Sequence, residues 1–317
     1  MKNTLLAIIS FLILSGNVLS DSSESKVKIA KRFLETEEGK VWYKISGSRS
    51  EATPLLVVHG GPGVSSVYLT RLNALSSDRP VILYDQLGCG KSVHPQDSSL
   101  WTNDYFLKEL DQVRRELNLE EVYLYGHSWG AILVVQYALK NQAIVKGLIL
   151  SGPPLSFPMY RSDLKTRLLT LPDSVSNVIF KYEKEGNLQA EEYQSAKFVF
   201  LTNFFARKQP WSDNLNSAFA TMNKEMYNYM LGPELIAKSG TLADLDLTDQ
   251  LGQIETPTMI IVGEYDTVRP ETAKFYQSLI KGSELAVQEN CGHLTIHDNP
   301  DADLKVIKEF ISKIEKE

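Results

Sequence analysis

The chain has 317 residues, 43% of them hydrophobic, and its 39 acidic residues outnumber 33 lysines and arginines for a net charge of -6. That length suits one large α/β domain or two small ones, with the composition of a globular enzyme. An acidic chain without a basic stripe excludes nucleic acid and anionic membrane surfaces as its natural partners.

Lys2, the apolar run Leu5 to Leu14 and the small polar stretch Ser15-Gly16-Asn17-Val18-Leu19-Ser20 have the three regions of a secretory signal peptide. The run is too short for a stable bilayer anchor, so cleavage near Ser20 and a secreted or periplasmic enzyme are expected, with an uncleaved N-terminal anchor as the alternative. Cleavage removes one lysine and takes the net charge to -7. Lipid attachment there has no support, since no cysteine lies near the cleavage point. Cys89 and Cys291, the only two cysteines, read as small buried residues rather than as a disulfide.

Residues 27–34 and 40–45 read as an antiparallel pair of strands, the second with alternating character. Pro54 to Val58 is an unbroken apolar run, the pattern of a strand buried on both faces of a parallel sheet. It leads into His59-Gly60-Gly61-Pro62-Gly63, where glycines let backbone N–H groups approach a substrate closely. Pro80 to Tyr84 is a second buried strand, ending in Asp85-Gln86-Leu87-Gly88-Cys89-Gly90-Lys91-Ser92. A phosphate-binding loop is excluded there, because the first glycine of its G-x-x-x-x-G-K-[ST] spacing is missing. An amphipathic helix follows over Asp104 to Leu117.

Val122 to Val135 then reads as a buried strand, a sharp turn carrying one serine, and a helix. Gly126-x-Ser128-x-Gly130 in that context is a nucleophile elbow, which lifts the serine Oγ out of the sheet at the positive end of the next helix. The N–H of Gly61 and that of Trp129 are the expected oxyanion donors. After a strand at 145–150 the alternation stops. Residues 152–246 are helical, aromatic-rich and punctuated by prolines, as an inserted cap would be. Phe204, Phe205, Trp211, Tyr227 and Tyr229 within it read as core residues rather than substrate contacts. The α/β rhythm resumes with a strand at 256–263, a helix over Pro270 to Ile280, a strand over Glu284 to Gln288 and a helix over Pro300 to Lys313. The expected architecture is a mostly parallel sheet with core segments 27–151 and 247–317 flanking the helical cap.

A serine hydroxyl needs a base, and the base needs an orienting carboxylate. Asp266 follows the strand at 256–263, at the carboxyl end where parallel sheets place their chemistry. Glu264 competes for that role. Among the five histidines, His127 lies inside the elbow, His59 on the glycine loop and His94 beyond the Asp85 loop. His293 lies between the last strand and the last helix and is the expected base, with His297 second. Zinc has no support, since H-E-x-x-H and paired cysteine spacings are lacking, and no cofactor is called for.

With these residues in place, His59-Gly60-Gly61-Pro62-Gly63, the Asp85 to Ser92 loop, Gly126-His127-Ser128-Trp129-Gly130, Gly263-Glu264-Tyr265-Asp266 and Gly292-His293 together resemble the proline iminopeptidase family of α/β-hydrolases. The likeness runs from about residue 30 to the C-terminus. It implies Ser128 as nucleophile, His293 as acid and base, Asp266 as orienter, and an acyl-enzyme resolved by water. The family binds the free α-amino group of its substrate with acidic residues, and Gly232-Pro233-Glu234-Leu235 is similar to its Gly-Pro-x-Glu-Phe segment, one residue shorter. Glu234 is the implied amine contact. Some members carry a second glutamate directly after the triad aspartate, where this chain has Thr267; losing a contact of roughly 1.5–3 kcal/mol would relax the preference for free amines. Release of N-terminal proline, or another small apolar residue, from short peptides is thus expected. The alternatives are an esterase, lactonase or amidase on the same scaffold and, from another class, a catalytically silent binding protein.

Overall fold

The computed structural model describes residues 29–47 and 51–316. The expected signal segment at 1–20 lies outside the described residues. Strands β1 (Ile29–Thr36) and β2 (Gly39–Ser46) form an antiparallel pair, and β2 pairs antiparallel with β4 across the sheet. The apolar runs fold as β3 (Leu55–Val58), β4 (Val81–Tyr84), β5 (Val122–His127), β6 (Val145–Ser151), β7 (Thr258–Gly263) and β8 (Glu284–Gln288). Every residue of β3, β4, β5 and β7 is buried, because helices cover both faces there. The sheet order is β1-β2-β4-β3-β5-β6-β7-β8, parallel from β4 through β8.

Helix α1 (Asn103–Glu116) starts at Thr102, whose side chain accepts from Tyr105 N. Helix α2 (Trp129–Asn141) is apolar on nearly all sides and buried against the sheet. Between β6 and β7 lie α3 (Phe157–Leu168), α4 (Asp173–Glu185), α5 (Glu191–Phe204), α6 (Asp213–Ala220) and α7 (Lys224–Met230). Leu164, Leu168, Ile179, Tyr193 and Phe200 give these helices a small core apart from the two that flank the sheet. Helices α8 (Pro270–Leu279), α9 (Thr295–Asp298) and α10 (Pro300–Ile314) complete the chain.

A 3₁₀ helix over Ser66–Ser77 goes beyond the sequence reading. Leu69, Leu72 and Leu75 are buried at a spacing of three, which matches three residues per turn. Cys89 and Cys291 are buried and free. Among the described residues no helix is long and apolar enough to cross a membrane.

Candidate active site

The elbow forms because the end of β5 and the start of α2 press against neighbouring backbone. A Cβ at Gly130 would stand 2.1 Å from Val58 O, and one at Gly126 would stand 2.6 Å from both Ala131 Cα and Gly130 O. Ser128, caught between them, has φ 53° and ψ -120°. That conformation costs about 1–3 kcal/mol and persists because surrounding bonds over-determine it. Ser128 N donates to Ser151 O and Ala131 N to Ser128 O, both at 2.9 Å.

Trp129 opens α2, so its amide is one of the helix's unpaired N–H groups. Gly61 and Ser128 border the same cavity as Trp129, and neither the Gly61 nor the Trp129 amide has an acceptor among the described residues. The glycine loop is held from behind by His59. Its Nε2 accepts from Gln86 N at 2.9 Å while Nδ1 donates to Gly60 O at 2.8 Å. Burial pushes this imidazole below its ordinary pKa, which keeps it neutral. Gln86 also donates to His59 O and accepts from the Trp129 indole, each at 3.0 Å, so one side chain ties the loop to the elbow.

Asp266 and His293 meet as a fully buried pair, Nδ1 to Oδ1 at 2.7 Å. Oδ1 also accepts from Val268 N at 2.8 Å, which fixes the carboxylate. Glu264 is exposed and accepts from Asn290 N at 3.0 Å, and His297 Nε2 contacts Lys208 O at 3.2 Å, so neither competitor joins the pair. His293, Ser128, Gly61 and Trp129 border one cavity of about 260 Å³ between the sheet and the inserted helices. Glu234 lies on its helical side, accepting from Ser239 Oγ at 2.5 Å. The loop carrying Glu234 is pinned by Glu183, whose carboxylate accepts from Leu235 N at 2.6 Å and Ala237 N at 3.2 Å. Thr267 also borders the cavity, and its hydroxyl turns back to Asp266 Oδ1 at 3.3 Å. Among the described residues no group of three or more histidines, cysteines, aspartates and glutamates is arranged to hold a metal.

The aromatics divide differently from their reading as core. Phe204 is buried among the inserted helices, and Phe205 and Trp211 pack against the core beside the sheet, but Phe205 and Tyr227 also border the cavity. Trp211 stacks on Phe219 at 5.7 Å, while Tyr229 is exposed. The difference arises because the last turn of α5 meets the His293 loop: His293 N donates to Phe204 O at 2.9 Å and Leu294 N to Phe205 O at 2.8 Å. Phe205 is thereby set against the His293 ring, with centroids 5.4 Å apart.

Several supporting residues carry no sequence signal of their own. Arg167 of α3 donates to Asp266 O at 2.9 Å and to Glu264 O at 2.6 Å. Asp298 gathers the amides of Gly292, Arg207 and Lys208. Tyr68, on the 3₁₀ helix, reaches His127 at 2.9 Å. His127 itself lies inside the elbow motif.

The description "alpha/beta hydrolase fold" matches residues 53–300. The proline iminopeptidase of Heyndrickxia coagulans is 40% identical over 285 residues, 89% of this chain and 98% of that protein. That of Saccharolobus solfataricus is 36% identical over 86% of this chain and 89% of its own length. Among solved structures, VinJ superposes with a TM-score of 0.86 at 29% identity, covering 90% of this chain and 99% of its own. The proline iminopeptidase of Mycobacterium smegmatis gives 0.84 at 26%, covering 90% and 98%. The elbow, the buried aspartate–histidine pair and these likenesses over nearly the whole chain agree, and the chain belongs to the proline iminopeptidase family of the α/β-hydrolase fold.

Proposed function

We propose that this enzyme releases N-terminal proline, or another small apolar residue, from short peptides through an acyl-enzyme on Ser128. The observation that carries the reading is the meeting of Ser128, His293 and Glu234 on one cavity, with Asp266 locked to His293 behind it. Ser128 Oγ attacks the scissile carbonyl carbon as its proton passes to His293 Nε2, and Nδ1–H stays with Asp266. The carbonyl oxygen becomes an oxyanion between the Gly61 and Trp129 amides. Collapse expels the leaving amine, which takes the proton from His293, and water repeats the sequence on the ester to free the amino acid. Residues 152–246 act as the cap over this site, flanked by core segments 27–151 and 247–317. The composition of residues 1–20 supports export, giving a secreted or periplasmic enzyme.

Glu234 is assigned to the free α-amino group, because among the described residues it is the one carboxylate that borders the cavity. Lys197 borders the same cavity, and burial pushes its ammonium below the usual range against the pull of Glu183 and Glu234. With Thr267 supplying no second charge, Glu234 alone makes the amine contact. A proline arylamide with a free amine, its N-acylated analogue and a simple aryl ester distinguish the readings. The free-amine compound should be preferred, and Glu234→Gln should raise its KM by about tenfold or more while leaving ester hydrolysis in place. Equal cleavage of free and blocked amides would instead favour the amidase or esterase reading.

A further inference from the structure

A hydrogen-bond chain beneath the candidate nucleophile joins loops that the proposed triad leaves unconnected. Gly60 N–H donates to Tyr68 Oη at 2.7 Å, and Tyr68 Oη lies 2.9 Å from His127 Nδ1. His127 Nε2 lies 3.2 Å from the backbone carbonyl of His293. A carbonyl only accepts, so Nε2 carries the proton. Nδ1 is then the acceptor, and the Tyr68 hydroxyl is its donor. All three bonds run in one direction, from the Gly60 amide to the His293 carbonyl, a pattern in which each bond polarises the next.

We propose that Tyr68 and His127 are positioning residues that hold the Gly61 oxyanion donor and the His293 base in one fixed register about Ser128. The inference rests on the roles assigned above to Ser128, Gly61 and His293. One end of the chain fixes the His59–Gly60 peptide group, directly before the peptide that carries the Gly61 amide at the edge of the cavity. The other end fixes the carbonyl of the base itself. The rings are packed as well as bonded: His127 lies 4.9 Å from His293 and 5.4 Å from Tyr68, centroid to centroid. A Cβ at Gly60 would stand 2.9 Å from both His127 Nδ1 and Tyr68 Oη, so the glycine loop rests directly on the pair. Burial, with the neighbouring His293, holds the His127 imidazole well below its ordinary pKa and burial holds the Tyr68 phenol above its own, so both stay neutral. The elbow turn places no demand on residue 127. A histidine there supplies one donor and one acceptor at the spacing the two loops require.

The test compares Tyr68→Phe, His127→Ala, His127→Gln and the Tyr68→Phe/His127→Ala double variant on a proline arylamide. Rates are normalised to the endpoint of fluorophosphonate labelling at Ser128. Tyr68→Phe and His127→Ala should each lower kcat about ten- to hundredfold with KM held within about twofold, because misplaced donors and base weaken the transition state rather than substrate binding. Affinity for a prolyl boronate, which mimics the tetrahedral species, should fall in parallel. The double variant should be no worse than the more damaged single one, and His127→Gln, whose amide offers a donor and an acceptor, should recover most of the loss. Should His127→Ala unfold, Tyr68→Phe removes a single oxygen and carries the same comparison. Unchanged kcat per labelled site, a loss confined to KM, or additive losses in the double variant would overturn the relay alone. Absence of label on wild-type Ser128 would overturn the nucleophile assignment and the relay with it.

Discussion

Glu109 lies on α1 with no exposure, its Oε2 accepting from Leu87 N at 2.7 Å. Tyr84, Tyr105, Cys89 and Glu38 face it, and burial pushes its carboxyl up from 4.5 to about 8. The unfolded chain releases this proton near pH 4.5, whereas the folded one keeps it to about pH 8. Between those values the unfolded state binds fewer protons, so stability falls as pH rises across the window and levels off above it. Glu109→Gln keeps an acceptor for Leu87 and has nothing to ionise. Urea unfolding should show the wild type losing roughly 2–4 kcal/mol between pH 5 and pH 8 from this group, and the variant losing correspondingly less. An identical pH dependence in both proteins would contradict the assignment. Glu109 gave no sign of this in the sequence, where it reads as one polar position of an amphipathic helix. Ser128 and His293, by contrast, are legible because the elbow and the strand-end loop impose local patterns. Asp266 could be separated from Glu264 only by geometry, since both lie within three residues of the same strand end.

At the scale of elements, the strands were legible wherever burial on both faces produced an unbroken apolar run, as in β3, β4 and β7. The 3₁₀ helix over Ser66–Ser77 was not, because leucines repeating every three residues fit neither the α-helical period nor the strand alternation by which the other elements are read. Its consequence is functional, since it presents Tyr68 to the elbow. The contact between α3 and the Asp266 loop was equally hidden. Arg167 offers two backbone carbonyls of that loop a planar fork, which a lysine does not reproduce. Arg167→Ala and Arg167→Lys should therefore both lower kcat/KM about tenfold on a proline arylamide, through looser placement of the aspartate. Full activity in Arg167→Lys would mean that only a charge is needed at this position.

For the whole molecule, the sequence separates a sheet built from local signals and a set of inserted helices whose packing depends on distant partners. Phe205 and Tyr227 illustrate the limit: composition placed them in a core, and the meeting of α5 with the His293 loop turned Phe205 toward the cavity. The cavity gathers residues from the glycine loop, the elbow, the last loop of the sheet and the inserted helices, so no single stretch describes it. What unites these parts is the assignment of Ser128 as the attacking group. The most direct measurement is hydrolysis of a free-amine proline arylamide by wild type and by Ser128→Ala, with both shown to share the same fold by their melting transitions. The geometry predicts that the variant loses at least about a thousandfold in kcat while remaining folded. A folded variant that retained more than about a tenth of wild-type kcat would contradict the account, because the reaction would then run without the acyl-enzyme on which every other role depends.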